Sequence, residues 1–404
     1  MNIDGLPVFK SSNIQLWPIL GKISLPFTTE PFIIGLFSGN KKPGNIKEYL
    51  YDFVQEMKKI ECQPVTINKY SFFIRLQCFI CDAPARAFLK QVKGHTGYYG
   101  CEKCKQKGVW RQRMTFPLVN APKRTDDDVD TNHNIGVSPL RALSFGMVTN
   151  FPFDYMHLVC LGVVRRLLNY WVKSPVSKGL RLNPSSVKLI SDKLITFKEY
   201  LPREFARKCR PLSEIDRWKA TEFRQFLLYT GMVSLRGELP VKMYNHFLLL
   251  FVGILCLISP DFFINNSDFA HDLLCLFVTQ CETLYEKEFI VYNVHGLVHL
   301  ADDVSRFGTL DSFSAFPFEN YLSQLKRLVR KPQSTLEQVV KRLLEKRNLN
   351  LSLKRQSYKT SLNVSKPSKM HYNGPVPSFY QSFSQFQQVQ SKGFFYLSKK
   401  AITV

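Results

Sequence analysis

The chain has 404 residues and carries 55 Lys plus Arg against 32 Asp plus Glu, a formal net charge of +23. Hydrophobic residues make up 45% of it and aromatics 13%. That composition excludes global disorder, and the length fits two or three domains or one large domain with an insertion. The charge favours a polyanionic partner, nucleic acid ahead of an anionic membrane.

The longest apolar run, Phe247 to Ile258, has 12 residues. That is short of the roughly 18 needed to span a bilayer, so it reads as a core helix and no membrane role is expected. The N-terminus, MNIDGLPVFK, lacks the basic start and apolar stretch of a signal peptide. Ten Cys in 404 residues are too sparse for a secreted disulfide scaffold, which points to a reducing compartment, cytosol or nucleus.

In chain order, residues 3–90 look α/β. Pro31–Phe37 is a short apolar run. Ile46–Lys59 has helical spacing through Ile46, Leu50, Phe53, Val54 and Met57. Tyr70–Ile80 (YSFFIRLQCFI) has the aromatic and β-branched content of one buried strand, and Arg86–Val92 is a short helical pattern. Residues 94–150, with glycines, a Cys pair, several prolines and the acidic patch Asp126–Asp130, read as loop-rich or metal-stabilised. From Phe153 to about Val304 the pattern is helical, punctuated by prolines. Further helices are expected over Pro317–Val329 and Thr335–Lys346. The tail after Asn350 is polar, basic and rich in Ser and Gln, a composition typical of poorly ordered termini.

Three carboxylates stand out, each with a plain alternative. Asp82 lies where an apolar strand stops, a place that presents a fixed side chain for chemistry; it also suits an N-cap. Asp4, in Asn2-Ile3-Asp4-Gly5, is a second acid after an apolar residue, and also an ordinary turn Asp. Glu319 shares a helical face with Ser323, Lys326 and Arg330, which fits a metal ligand above phosphate-binding cations or a simple helix-dipole arrangement.

Cys101-Glu102-Lys103-Cys104 is a C-x2-C knuckle. The other such pair, Cys78 and Cys81, falls in the expected strand, where residues three apart point to opposite faces, and reads as core. A structural zinc needs four N or S ligands. His295 and His299, four apart on one helical face, are the best source of the remaining two. His95 and His157 are weaker candidates for ligand or supporting roles.

Together these pieces resemble a family. NIDGLPVFKSS, CDAPARAFLKQVKGHTGYYGCEKC, FDYMHLVCLGVVRRLL, VHGLVHLADDV and FPFENYLSQLKRLVRKP, in that order from Asn2 to about Arg347, look like a CACTA (En/Spm-like) DNA transposase. The layout Asp, Asp, C-x2-C, H-x3-H, Glu is similar to Transib transposases and to the recombination-activating recombinase of the immune system. The resemblance implies an α/β RNase H-like core interrupted by a large, mostly α-helical zinc-stabilised insertion. It implies catalytic Asp4, Asp82 and Glu319 holding two Mg2+ or Mn2+ ions, one structural Zn2+ on Cys101, Cys104, His295 and His299, and backbone contacts from Lys326, Arg327, Arg330 and Lys331.

The expected divisions are core 1–93, insertion 94–310, final core helices 311–350 and tail 351–404. The partners so implied are double-stranded DNA, as transposon ends and target, and a second copy of the chain; the compartment is the nucleus. The chain begins three residues before Asp4, so most of the first strand and the end-recognising domains would be missing. A zinc-containing DNA-binding protein derived from a transposase, without catalysis, is therefore the alternative function. Ten Lys or Arg against two Glu between Lys326 and Arg355 form the expected substrate track, a sequence-blind grip on phosphates.

Overall fold

The structure is a computed structural model. It describes residues 1–356 apart from 11, 26, 68 and 176–178, and beyond Gln356 only short strand segments. The described chain is predominantly helical, 51% helix against 10% strand. Met1–Leu336 form one compact unit and Glu337–Val404 a second.

The first unit opens with an antiparallel meander. β1 (Asn2–Ile3) and β2 (Leu6–Pro7) both pair with β3 (Gln15–Gly21), which pairs in turn with β4 (Phe32–Gly39). β1 and β2 thus behave as one strand broken at Asp4-Gly5, so residues on both sides of Asp4 are held by β3. Gly5 is required there: a Cβ would lie 2.7 Å from the Trp17 ring, well inside van der Waals contact.

α1 (Ile46–Cys62) follows, with Asn45 capping it by accepting from Lys47 N and Glu48 N. Its expected apolar positions, Ile46, Leu50, Phe53, Val54 and Met57, are the buried ones, and they pack with Ile3, Trp17, Ile19 and Phe79 in one core.

The stretch 70–80 is not one strand. Tyr70–Phe72 (β6) turns back on Val65–Ile67 (β5) through Lys69 at φ 71°, and Tyr70 and Phe73 are exposed. Tyr70–Phe72 is thereby committed to a separate two-stranded sheet. Only the end of the run returns to the sheet, beside β1. Met1 N donates to Cys78 O (2.9 Å) and Ile80 N to Met1 O (2.8 Å). These two bonds bracket Phe79, the slanted pattern of parallel neighbours. Cys78 and Cys81 are both buried, as core residues.

Residues 94–150 are turns, the hairpin β7–β8 (Val109–Arg111, Arg113–Thr115) and a 3-10 turn at Pro139–Ala142. Three acids of the patch are engaged internally: Asp130 pairs with Arg124, Asp128 with Lys105, and Asp126 accepts from Val148 N and Thr149 N.

A π-helical segment, Met156–Val164, leads into the helical region: α3 (Arg165–Lys173), α4 (Pro184–Tyr200), α5 (Ala220–Gln225), α6 (Gly231–Leu235), α7 (Val241–Ile258) and α8 (Phe263–Leu284). α7 lengthens the 12-residue apolar run to 18 residues with mean hydropathy 1.9, long and apolar enough by those measures to cross a membrane. Here it lies along α8, and a Cβ on Gly253 would stand 3.0 Å from Leu274. α9 (Tyr292–Gly296), a 3-10 turn at Leu297–His299 and α10 (Leu300–Phe307) follow, then α11 (Phe316–Leu328). α12 (Thr335–Gln356) runs ten residues beyond the expected Lys346. Of the tail after Asn350, most lies outside the described residues.

Candidate metal centres

The four expected zinc ligands meet in the interior. Cys101, Cys104, His295 and His299 are each at most 4% exposed, and their ligand atoms lie within 4.8 Å of one another. Cys104 Sγ to His295 Nε2 is 3.3 Å, Cys101 Sγ to His299 Nε2 is 3.6 Å, and the two Nε2 atoms are 3.3 Å apart. A tetrahedral ion bonded at about 2.05 Å to N and about 2.3 Å to S requires N···N near 3.3 Å and S···N near 3.5 Å. The cluster therefore fits a zinc-sized ion with closed four-fold coordination, the form that structural sites take. The His pair sits where α9 tightens through its 3-10 turn, which still brings residues four apart to one face. Burial resists a thiolate at Cys101, but the Cys104 hydrogen bond and both imidazoles outweigh it and push its pKa well down. Cys104 is pushed up, by its bond to Cys101 and then by burial.

The two residues inside the knuckle join this cluster to its neighbours. α2 (Ala83–Lys90) carries Arg86 and Lys90, and both pair with Glu102, at 3.1 and 3.0 Å. Tyr292 OH adds a third bond to Glu102, at 2.7 Å. Arg86 also donates to Cys81 O at 2.6 Å, fixing the residue before Asp82. Lys103 pairs with Asp303 of α10 (2.7 Å), whose other oxygen accepts from Phe153 N (2.8 Å) at the approach to the π-helical segment. Sequence reading treated Glu102 and Lys103 as spacers. The missed signal was two opposite charges inside a knuckle whose flanking cysteines had to be buried.

Two of the three expected acids, Asp4 and Glu319, come together with His157 in a second cluster. The register that puts Met1 opposite Phe79 sets Asp4 level with Asp82, each directly after its apolar segment. Asp82 does cap α2, Oδ1 accepting from Ala85 N at 2.8 Å, and it is not among the residues whose ligand atoms cluster with Asp4. Glu319, in the first turn of α11, comes from the other end of the chain. One oxygen each of Asp4 and Glu319 and a ring nitrogen of His157 lie within 4.8 Å of one another.

Asp82 is close enough for its charge to bear on Asp4, Glu319 and His157. Burial first, then the charges of Asp82 and Glu319, raise Asp4 to about 8. Burial also raises Glu319. His157 moves the other way: burial opposes its charge, but its bond to Asp154 and the fields of Asp154, Glu319 and Asp82 lift it to about 9. Carboxylates crowded until one holds a proton are a site with too much negative charge for itself.

Of the expected backbone-binding cations, Lys326 donates to Pro7 O at 2.6 Å, tying α11 to β2 three residues past Asp4. Arg327 and Arg330 lie exposed toward the end of α11 and just beyond it, with Lys331 following. His95 packs on the Tyr292 ring at 5.6 Å and, among the described residues, belongs to neither cluster. No family model matches this chain, and no curated protein matches it at a significant level.

Proposed function

We propose that this chain is the catalytic region of a DNA transposase of the CACTA type, cutting DNA and transferring strands at a centre formed by Asp4, Asp82 and Glu319. The observation that carries the reading is the convergence of Asp4 and Glu319, 315 positions apart in sequence, with Asp82 aligned beside Asp4 by strand register. The surroundings support it. A meander, a helix and a returning segment parallel to the first strand follow the order of an RNase H-like core, and the helical region between Asp82 and Glu319 holds the Cys2His2 cluster as an insertion would.

Divalent cations of the Mg2+ or Mn2+ class supply Lewis-acid stabilisation of the attacking and leaving oxygens of a phosphodiester. Three acids suit that task, because hard cations take oxygen ligands and leave positions for phosphate and water. Asp4 and Asp82 are fixed by adjacent backbone segments. Glu319 is fixed by α11, which Lys326 clamps to β2. Arg327 in the last turn of that helix, and Arg330 and Lys331 just after it, precede the further basic sequence, where phosphates of a duplex would be gripped without sequence preference. The zinc cluster braces this geometry: through Glu102 it holds α2 and Asp82, and through Lys103 and Asp303 it holds the approach to His157. Paired DNA ends would call for a second copy of the chain, and the reaction belongs in the nucleus.

Nicking of supercoiled DNA in Mg2+ or Mn2+ tests the reading. The chain should nick, and Asp82→Ala, with zinc content retained, should not. Equal nicking by both removes Asp82 from the chemistry. DNA binding without nicking by either supports the alternative, a zinc-containing DNA-binding protein derived from a transposase.

A further inference from the structure

The acid centre includes a side chain that three carboxylates alone would not require. His157 is the second residue of the π-helical segment, and π-turns recur at functional sites. Its Nδ1 is committed to Asp154 Oδ2 at 2.6 Å, which leaves Nε2 as the ring nitrogen for the Asp4–Glu319 side.

Asp154 has no freedom to do anything else. Its side chain is 0% exposed. Oδ2 also accepts from His157 N at 2.9 Å, and Oδ1 from Ala315 N at 2.7 Å. Ala315 is the N-cap of α11, one turn before Glu319. One fully buried carboxylate thus fixes the imidazole and the helix that carries the third acid. A neutral or ion-paired surface His needs no such backing. A carboxylate behind one ring nitrogen, with the other facing acids, is how proteins orient a metal-binding imidazole.

We propose that His157 Nε2 is a ligand of the divalent cation held between Asp4 and Glu319, with Asp154 as its positioning residue. The inference rests on the acid-centre reading above and refines it: the centre is a mixed nitrogen–oxygen site, not an all-oxygen one. Carboxylate and water suit both Mg2+ and Mn2+, but an imidazole nitrogen adds affinity along the first-row series from Mn2+ to Co2+, in which Mg2+ has no part. The site should therefore prefer Mn2+ or Co2+ to Mg2+.

The test is pulsed electron paramagnetic resonance of Mn2+ added to the zinc-loaded full chain, so that the Cys2His2 imidazoles are already occupied. Wild type should show modulation from a directly bound 14N. His157→Ala should lose it and bind Mn2+ about 100-fold more weakly, with Asp154→Asn keeping the nitrogen signal but losing about 10-fold in affinity, within the usual effect of removing such backing. If either variant fails to fold, the wild-type spectrum still decides. Mn2+ bound in a Glu319-dependent way without nitrogen modulation, or modulation unchanged in His157→Ala, overturns the inference and leaves the carboxylate site standing. No Mn2+ binding by wild type overturns both.

Discussion

Glu102 is the residue whose removal tests the brace between the two centres most sharply. Its carboxylate is 3% exposed and accepts from Arg86, Lys90 and Tyr292. Replacement by Gln keeps the shape and one acceptor but leaves two buried cations without their counter-charge. Breaking a buried ion pair in this way costs about 3–5 kcal/mol. The acid's titration points the same way. Burial pushes Glu102 up, but Lys90 and Arg86, then the bond from Tyr292, bring it down to about 2 from an ordinary 4.5. That gap is about 3 kcal/mol on the acid's side, but burial lowers Lys90 in spite of Glu102, so the titration sets the sign and the broken pair sets the size. A depressed carboxylate stabilises above its unfolded pKa and loses that contribution as pH falls, here between about 4.5 and 2. Urea unfolding at pH 7 should therefore show Glu102→Gln less stable by about 3 kcal/mol, a large share of the 5–15 kcal/mol typical of a domain. Wild type acidified toward pH 2 should converge on the variant. A loss below about 1 kcal/mol at pH 7 would refute the reasoning.

Two other outcomes follow from the buried polar groups. Elemental analysis of purified protein should find about one zinc per chain, and Cys101→Ser with His299→Ala should remove it; full zinc in that double variant refutes the ligand set. His246 is buried, stacked on Phe277 with centroids 4.0 Å apart, with Nε2 2.8 Å from Phe277 O. Burial lowers its pKa to about 4, so it stabilises above about 6.5 and loses that contribution as pH falls to 4. His246→Leu should flatten the stability slope across that window, and an unchanged slope assigns the slope to other groups.

Much of this was legible in sequence because it rests on local rules. The apolar spacing of Ile46–Met57 could only bury one face. C-x2-C needs a tight turn, and His residues four apart share a helical side. What could not be read was long-range or register-dependent. The pairing of Met1–Ile3 with Cys78–Cys81, which aligns Asp4 with Asp82, leaves no trace in composition. The run 70–80 was misread because its start is taken up by a local hairpin closed at Lys69 and only its end reaches Met1 beside β1. His157 looked minor because its partners, Asp4 and Glu319, are 153 and 162 residues away. Asp82 was read as cap or site; the structure shows the cap, Oδ1 accepting from Ala85 N, and the side chain lies near enough for its charge to act on Asp4.

Anomalous diffraction at the manganese and zinc edges, from crystals of the full chain soaked in Mn2+, tests the central claim most directly. The account predicts zinc among Cys101, Cys104, His295 and His299, and manganese between Asp4 and Glu319 in contact with Asp82, the manganese vanishing in Glu319→Gln while the zinc remains. Manganese found away from these acids, or bound between them without reaching Asp82, would contradict it.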